Sequence, residues 1–301
     1  RRGPGSTAAG GAAVPYPRSM TDERVLAASV PVRPAATVML VRDGEAGLEV
    51  FMLQRTGSAA FARNAYVFPG GRVDGTDHGP QFEPICGEDD ATASARLGLA
   101  EGGLAWLVAT IRECFEEASV LLGGRVGEDA AIDFDTDELQ ARFGAARHRV
   151  HTGEVSLVEL CATEQLCLHT DRIHFVDHWI TPVGESRRFD TRFFLTRAPA
   201  GQEPLHDDSE TVASTWVRPA DALERSHQRE WRLLPPTISA LVMLLPPPTA
   251  DAALAWAAAL PRPEPMLPRL IVDEHNRFVG ILRPGDEGYD TQPEPEYVIG
   301  Q

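Results

Sequence analysis

Ile111-Arg112-Glu113-Cys114-Phe115-Glu116-Glu117-Ala118-Ser119-Val120-Leu121-Leu122 splits into two faces when wound as an α-helix. Leu107, Ile111, Cys114 or Phe115, Ala118 and Leu122 recur at three-to-four-residue spacing and make an apolar stripe. Glu113, Glu116 and Glu117 stand at i, i+3 and i+4 and converge on the other face. Carboxylates that close repel one another and weaken the helix unless a cation lies among them. Arg112, four residues before Glu116, neutralises only part of that charge. The expected partner is a hard divalent cation that takes oxygen ligands, Mg²⁺ or Mn²⁺. A solvated acidic face is the alternative.

Upstream stands Phe68-Pro69-Gly70-Gly71-Arg72-Val73-Asp74, a glycine turn whose backbone can approach a ligand closely. An R-E-x-x-E-E helix after an F-P-G-G turn resembles the Nudix box of diphosphate hydrolases, G-x5-E-x7-R-E-U-x-E-E-x-G-U, where U is a bulky aliphatic residue. Arg112, Glu113, Cys114, Glu116, Glu117 and Val120 match its second half. Ser119 stands where the family has glycine, a small-residue position that accepts serine. Eight residues before Arg112 is Leu104 rather than glutamate, and roughly forty residues separate Gly71 from Arg112. The box is therefore read as split by an insertion, with Glu88 and Glu101 as candidates for the unassigned glutamate.

The wider pattern is similar to one branch of that family, typified by nucleoside diphosphate-linked moiety X motif nineteen. The matching residues are Leu53-Gln54-Arg55, Phe61, Asn64-Ala65, Val67 to Gly71, Trp179, Thr181-Pro182, Arg188 to Thr191 and Phe193-Phe194. The branch has a long insertion within its box, and its animal members resemble coenzyme A diphosphatases. The resemblance implies metal ligation by Glu113, Glu116, Glu117 and the Gly70 carbonyl, with Arg112 orienting the glutamates. The general base is a box glutamate, Glu116 or Glu117, or a distal acid, with Glu210 the candidate and Asp207 and Asp208 its rivals. Arg55 and Arg63 are candidates for holding phosphates. Arg188 is a third, though a pair with Asp190 that fixes a loop is preferred for it. Trp179 and Phe194 read as core. The scattered histidines His148, His151, His169, His174 and His178 make no coherent site.

The implied activity is metal-dependent hydrolysis of a diphosphate in a nucleotide-containing small molecule, foremost CoA or acyl-CoA. An ADP-ribose or NADH pyrophosphatase is the enzyme alternative, and a Nudix-fold binding protein without turnover is the rival from another class. A net charge of −16 over 301 residues speaks against nucleic acid, whose affinity comes largely from cationic contacts. No apolar run approaches a membrane span. Four cysteines without a CxxC support neither zinc nor redox motifs and fit free thiols in the cytoplasm. The last residues, Val298 to Gln301, differ from the peroxisomal tripeptide of animal members. A homodimer is left open, through the late hairpin or the insertion.

The expected fold is a Nudix-type α/β/α sandwich with a mixed sheet, an insertion within the box and a C-terminal helix and hairpin extension. Residues 1–30 are expected to be a flexible tail, 31–283 the hydrolase domain and 284–301 a loose acidic tail. Insertions are placed at about 74–103, with a short helix over Asp89–Leu99, and at about 125–170. Ala36–Val41 and Leu48–Leu53 form a hairpin, and Ala65–Phe68 is a third strand. The acidic helix is expected to stop at Gly123-Gly124. Helices follow at Thr136–Arg149 and Ser156–Leu168, then strands at Ile173–Thr181, Phe189–Thr196 and Thr211–Val217. Helices at Pro219, Thr237–Leu245 and Leu254–Leu260 precede a hairpin of Arg269–Val272 and Phe278–Leu282.

Overall fold

The computed structural model describes residues 25–56, 63–205 and 211–299. It opens on the expected hairpin, β1 (Val32–Gly44) and β2 (Gly47–Arg55). β3 (Tyr66–Val67), β4 (Gly70–Arg72), α1 (Asp90–Leu97) and α2 (Gly103–Ala118) follow. Next come β5 (Gly123–Arg125), α3 (Asp137–His151), α4 (Leu157–Glu164) and β6 (Leu166–Leu168). β7 (His174–Ile180), β8 (Arg188–Arg197) and β9 (Thr211–Val217) complete the main sheet. α5 (Pro219–His227), α6 (Pro235–Met243), α7 (Ala250–Ala259), β10 (Arg269–Val272) and β11 (Phe278–Leu282) end the chain.

The sheet is mixed: β1 runs parallel to β8, and its other pairs are antiparallel. Alternation along the strands gives each face its own core. Ala36, Val38, Leu40, Phe51, Leu53 and Phe194 pack against α2. Met39, Val41, Val50, Met52 and Leu195 pack against α6 and α7. The result is the expected α/β/α sandwich. Trp179 and Phe194 are core residues, one in each layer. Among the described residues no helix is long and apolar enough to cross a membrane.

β1 and β2 pair from Val41–Val50 to Gly44–Gly47. Beyond that they part. β2 turns to β3 through Leu53–Val67 and Gln54–Tyr66, and β1 to β4 through Ala35–Arg72, Ala36–Gly71 and Thr37–Gly70. The glycine turn therefore lies in the fork of the sheet, beneath α2.

The insertion is fastened to α2. Asp89 caps α1 by accepting from the Thr92 N–H at 2.8 Å. Asp90 then accepts from the N–H groups of Gly102 and Leu104, both at 2.9 Å, and the Ser94 hydroxyl accepts from Gly103 at 2.8 Å. The first N–H groups of a helix lack partners within it. Gly102, the residue before α2, has no side chain to supply one. The insertion supplies them instead.

α2 ends earlier than expected, at Ala118 rather than at Gly123-Gly124. Ser119 adopts the left-handed conformation (φ 59°), and the Val120 N–H reaches back to the Cys114 carbonyl at 3.4 Å. With the Ser119 N–H donating to the Phe115 carbonyl at 3.1 Å, this is an αL closure, in which the left-handed residue is usually glycine. The requirement at position 119 is thus conformational rather than a matter of size. Ser119→Gly is expected to stabilise the protein by about 1 kcal/mol, raising Tm by about 2 °C in thermal unfolding.

Two further expectations are corrected. The helix expected over Ser156–Leu168 stops at Glu164, and Leu166–Leu168 pairs with β5 as a strand. The loose acidic tail is held. Tyr297 bridges Leu26, the Val298 N–H donates to Val25 at 3.0 Å, Ile299 donates to Gly184 at 2.8 Å, and Val298 is buried. Residues 25–30 are pinned by the same contacts, while 1–24 of the expected N-terminal tail lie outside the described residues.

Candidate active site

α2 is apolar on nearly every side because it is clamped between the sheet and the segments that follow it. Arg112, Glu113 and Glu116 interrupt the burial on one side, next to the glycine turn. Glu117 is 7% exposed, and its Oε2 accepts from the Gly70 N–H at 2.9 Å. Glu113 lies over Gly71, where a Cβ would stand 2.4 Å from its Oε1. At Gly70 an added Cβ would come within 2.4 Å of the Ala36 carbonyl oxygen. Both glycines are there because other atoms occupy the space a side chain needs.

Arg112 is the hub. Its side chain is 11% exposed and its nitrogens are spread over four groups. Nε and Nη2 donate to Asp77 Oδ1 and Oδ2 at 2.7 and 2.9 Å. Nη2 also donates to the Arg72 carbonyl at 2.8 Å, and Nη1 donates to Glu113 at 2.8 Å and Glu116 at 3.5 Å. Burial works against this guanidinium, but the Asp77 hydrogen bonds and the Glu113, Asp77 and Glu116 charges outweigh it and hold the proton more firmly than usual. Asp77 is 2% exposed and is fixed in turn by the Asp74 N–H at 2.8 Å.

Asp77 is the residue that sequence reasoning missed. Counting back from Arg112 finds Leu104, but five residues separate Gly71 from Asp77, the G-x5-acid spacing of the box with aspartate for glutamate. The box is interrupted after Asp77. Glu88 instead pairs with Arg96, and Glu101 is exposed.

Glu116 has two further neighbours from α3. His151 Nδ1 lies 3.5 Å from its Oε2, and Arg147 Nε donates to its backbone carbonyl at 2.7 Å. Past the helix, Gln202 is buried. Its Oε1 accepts from the Leu121 N–H at 2.8 Å, and its Nε2 donates to the Leu121 carbonyl at 3.0 Å. The Leu205 N–H donates to the Ala118 carbonyl at 3.0 Å.

The other candidates are dispersed. Arg55 ends β2 opposite Thr211, and its N–H donates to the Ala65 carbonyl at 3.0 Å. Arg63 is exposed, and its carbonyl accepts from Arg232 at 3.1 Å. Arg188 and Asp190 do not pair with each other. Arg188 Nε donates to the Thr181 carbonyl at 3.0 Å, and Asp190 meets His178 Nε2 at 2.5 Å, so each ties β8 to the β7 side of the hairpin. Glu210, Asp207 and Asp208 lie outside the described residues.

The donor set suits a hard divalent cation: side-chain carboxylates and a backbone carbonyl, all oxygen. Burial, then the charges of Glu116 and Asp77, push the Glu113 carboxyl up to about 7 although Arg112 pulls it down. Arg112 offsets only part of that burial, and a bound cation would offset more. In the arrangement described, the glutamates turn to Arg112, His151 and the Gly70 amide. Among the described residues no three His, Cys, Asp or Glu side chains group closely enough to hold an ion.

Residues 88–244 match the family model of the NUDT19 Nudix domain. The chain belongs to the Nudix hydrolases. An acyl-coenzyme A diphosphatase NUDT19 from Gallus gallus is 30% identical over 308 residues, covering 90% of this hydrolase and 79% of the relative. The Homo sapiens protein of that name is 29% identical over 227 residues, and the hydrolase spans 58% of its length. Among solved structures, a NUDIX hydrolase from Alicyclobacillus acidocaldarius is 26% identical with a TM-score of 0.59, covering 75% of this hydrolase and 97% of that chain.

Proposed function

We propose that this hydrolase cleaves the diphosphate linkage of CoA and acyl-CoA with Mg²⁺ or Mn²⁺ held by Glu113, Glu116, Glu117 and the Gly70 carbonyl. The observation that carries the reading is the placing of Glu113 and Glu117 on the glycine turn, with Arg112 locked behind them by Asp77. The name printed for the relatives, acyl-coenzyme A diphosphatase, supports the substrate. Four free cysteines, two of them buried, support a reducing cytoplasm as the compartment.

A bound divalent ion neutralises charge on the phosphoryl oxygens and acidifies water. The chain's own residues do the rest. The Gly70 amide fixes one Glu117 oxygen against the glycine turn. Arg112 holds Glu113 and Glu116 at a set spacing without touching substrate. Proton removal from the attacking water falls to Glu116 or Glu117, or to Glu210, which precedes β9 in sequence. Arg55 and Arg63 are proposed to hold phosphates, and Arg188 is assigned to the hairpin.

Initial rates with Mg²⁺ or Mn²⁺ on CoA, acyl-CoA, ADP-ribose, NADH and diadenosine polyphosphates test the reading. Preference for CoA or acyl-CoA is expected. Preference for ADP-ribose or NADH would keep the machinery and overturn the substrate.

Glu113 also gives a pH prediction. Burial pushes its carboxyl up to about 7 in the metal-free fold, well above the ordinary carboxylate range. The folded state therefore holds the proton more tightly, and this stabilising contribution is lost as pH rises toward 7. A divalent ion competes with that proton. The Tm increase on adding Mg²⁺ is expected to be larger at pH 8 than at pH 5.5; equal increases would contradict it.

A further inference from the structure

Arg192 lies in the middle of β8 and is 5% exposed. Its guanidinium stacks on the Trp106 ring of α2, 4.1 Å from the centroid, with Phe175 at 5.7 Å. Nε and Nη1 are buried without a hydrogen-bond partner. Arg112 offers the contrast, with an acceptor for each of its nitrogens. Asp190, two residues before Arg192, attracts the guanidinium by its charge but is itself engaged by His178. The nearby Arg262, whose guanidinium packs on Gly98 at the end of α1, adds repulsion rather than relief. Ring stacking offsets part of the cost of a buried cation. It provides no acceptor for the N–H groups, and buried donors on a charged group are costly to leave without one.

The position of Arg192 relates it to the glutamates. Ala36 pairs with Gly71 on one side and with Arg192 on the other. Directly opposed residues share a face, so Arg192 projects on the side where Glu113 covers Gly71. Two strand spacings separate Arg192 from Gly71, about 10 Å. Trp106 and Glu113 are two helical turns apart on α2, again about 10 Å. The helix thus lays its carboxylates over β4 and its tryptophan over β8.

We propose that Arg192, on the α2 side of β8, is an anion subsite that takes a phosphate monoester of the substrate about 10 Å from the carboxylates. This rests on the CoA reading, because CoA carries a 3′-phosphate on the ribose adjoining its diphosphate. The anion provides the acceptors that Nε and Nη1 lack, and the added positive charge of Arg262 favours a dianion over a single carboxylate. The subsite then selects CoA over its 3′-dephospho form.

Two measurements on the full chain and on Arg192→Met test it. The first is kcat/KM on CoA and on 3′-dephospho-CoA with Mg²⁺. The native protein is expected to favour CoA, and R192M to lose about 10- to 100-fold on CoA with little change on the dephospho substrate. Equal losses on both would overturn the subsite and leave Arg192 a packing residue, and no loss on either would overturn it too. The second is thermal unfolding of metal-free protein with adenosine 3′,5′-bisphosphate or adenosine 5′-monophosphate. The bisphosphate is expected to raise Tm more than the monophosphate does in the native protein, and by the same amount as the monophosphate in R192M. The same difference in both proteins, or none in the native one, overturns the subsite. This arm needs no turnover, so it still decides if CoA proves not to be cleaved. Removing a buried cation whose donors lack acceptors is not expected to prevent folding. Were R192M to fail, Arg192→Lys serves in both arms, retaining the charge while losing the guanidinium geometry, and a CoA-selective loss is again expected.

Discussion

Replacing Glu117 by glutamine is expected to lower kcat by about 10³-fold while leaving Tm within about 1 °C of native. The amide oxygen of glutamine can still accept from the Gly70 N–H, so the tie between α2 and the turn survives. What is lost is the negative charge at the point where the helix meets the glycine turn. The two readouts separate the site from the scaffold. Unchanged turnover would remove Glu117 from the chemistry, and a large fall in Tm would give it a structural part instead. Steady-state kinetics with saturating Mg²⁺, alongside thermal unfolding, provide both.

Asp77→Ala is expected to act the opposite way, through the scaffold. It removes both oxygens that receive Nε and Nη2 of Arg112 and leaves a guanidinium only 11% exposed with a carbonyl and two glutamates. Breaking a buried ion pair from one side costs about 3–5 kcal/mol, or roughly 10 °C in Tm for a chain of this size. Activity should fall as well, because Arg112 sets the spacing of Glu113 and Glu116. Asp77→Glu restores the charge with one more methylene and should recover much of both. A Tm change below about 2 °C for Asp77→Ala would mean that Arg112 finds another partner, and the hub role assigned to Asp77 would fail.

The helix and its two faces were legible because the periodicity of α2 is local: each contact joins residues three or four apart. Asp77 was not, because it meets Arg112 across 35 positions of sequence and an insertion separates the halves of the box. The fork in the sheet was hidden for a related reason. Short strands such as Tyr66–Val67 and Gly70–Arg72 carry too few residues for alternation to show. Ser119 misled about the helix end because a left-handed closure is a backbone property, and serine does not advertise it. Arg188 and Asp190 were expected to pair with each other, but their partners, the Thr181 carbonyl and His178, come from the neighbouring strand and its turn, contacts that proximity in sequence does not reveal. Arg192, between recognised aromatic and acidic positions, gave no sign in sequence that its guanidinium would be buried without an acceptor.

The most direct measurement is chromatographic analysis of the products formed from CoA in the presence of Mg²⁺. Equimolar phosphopantetheine and adenosine 3′,5′-bisphosphate, appearing together and absent with Glu117→Gln, are the predicted result. CoA recovered intact while ADP-ribose or NADH is cleaved under the same conditions would contradict it.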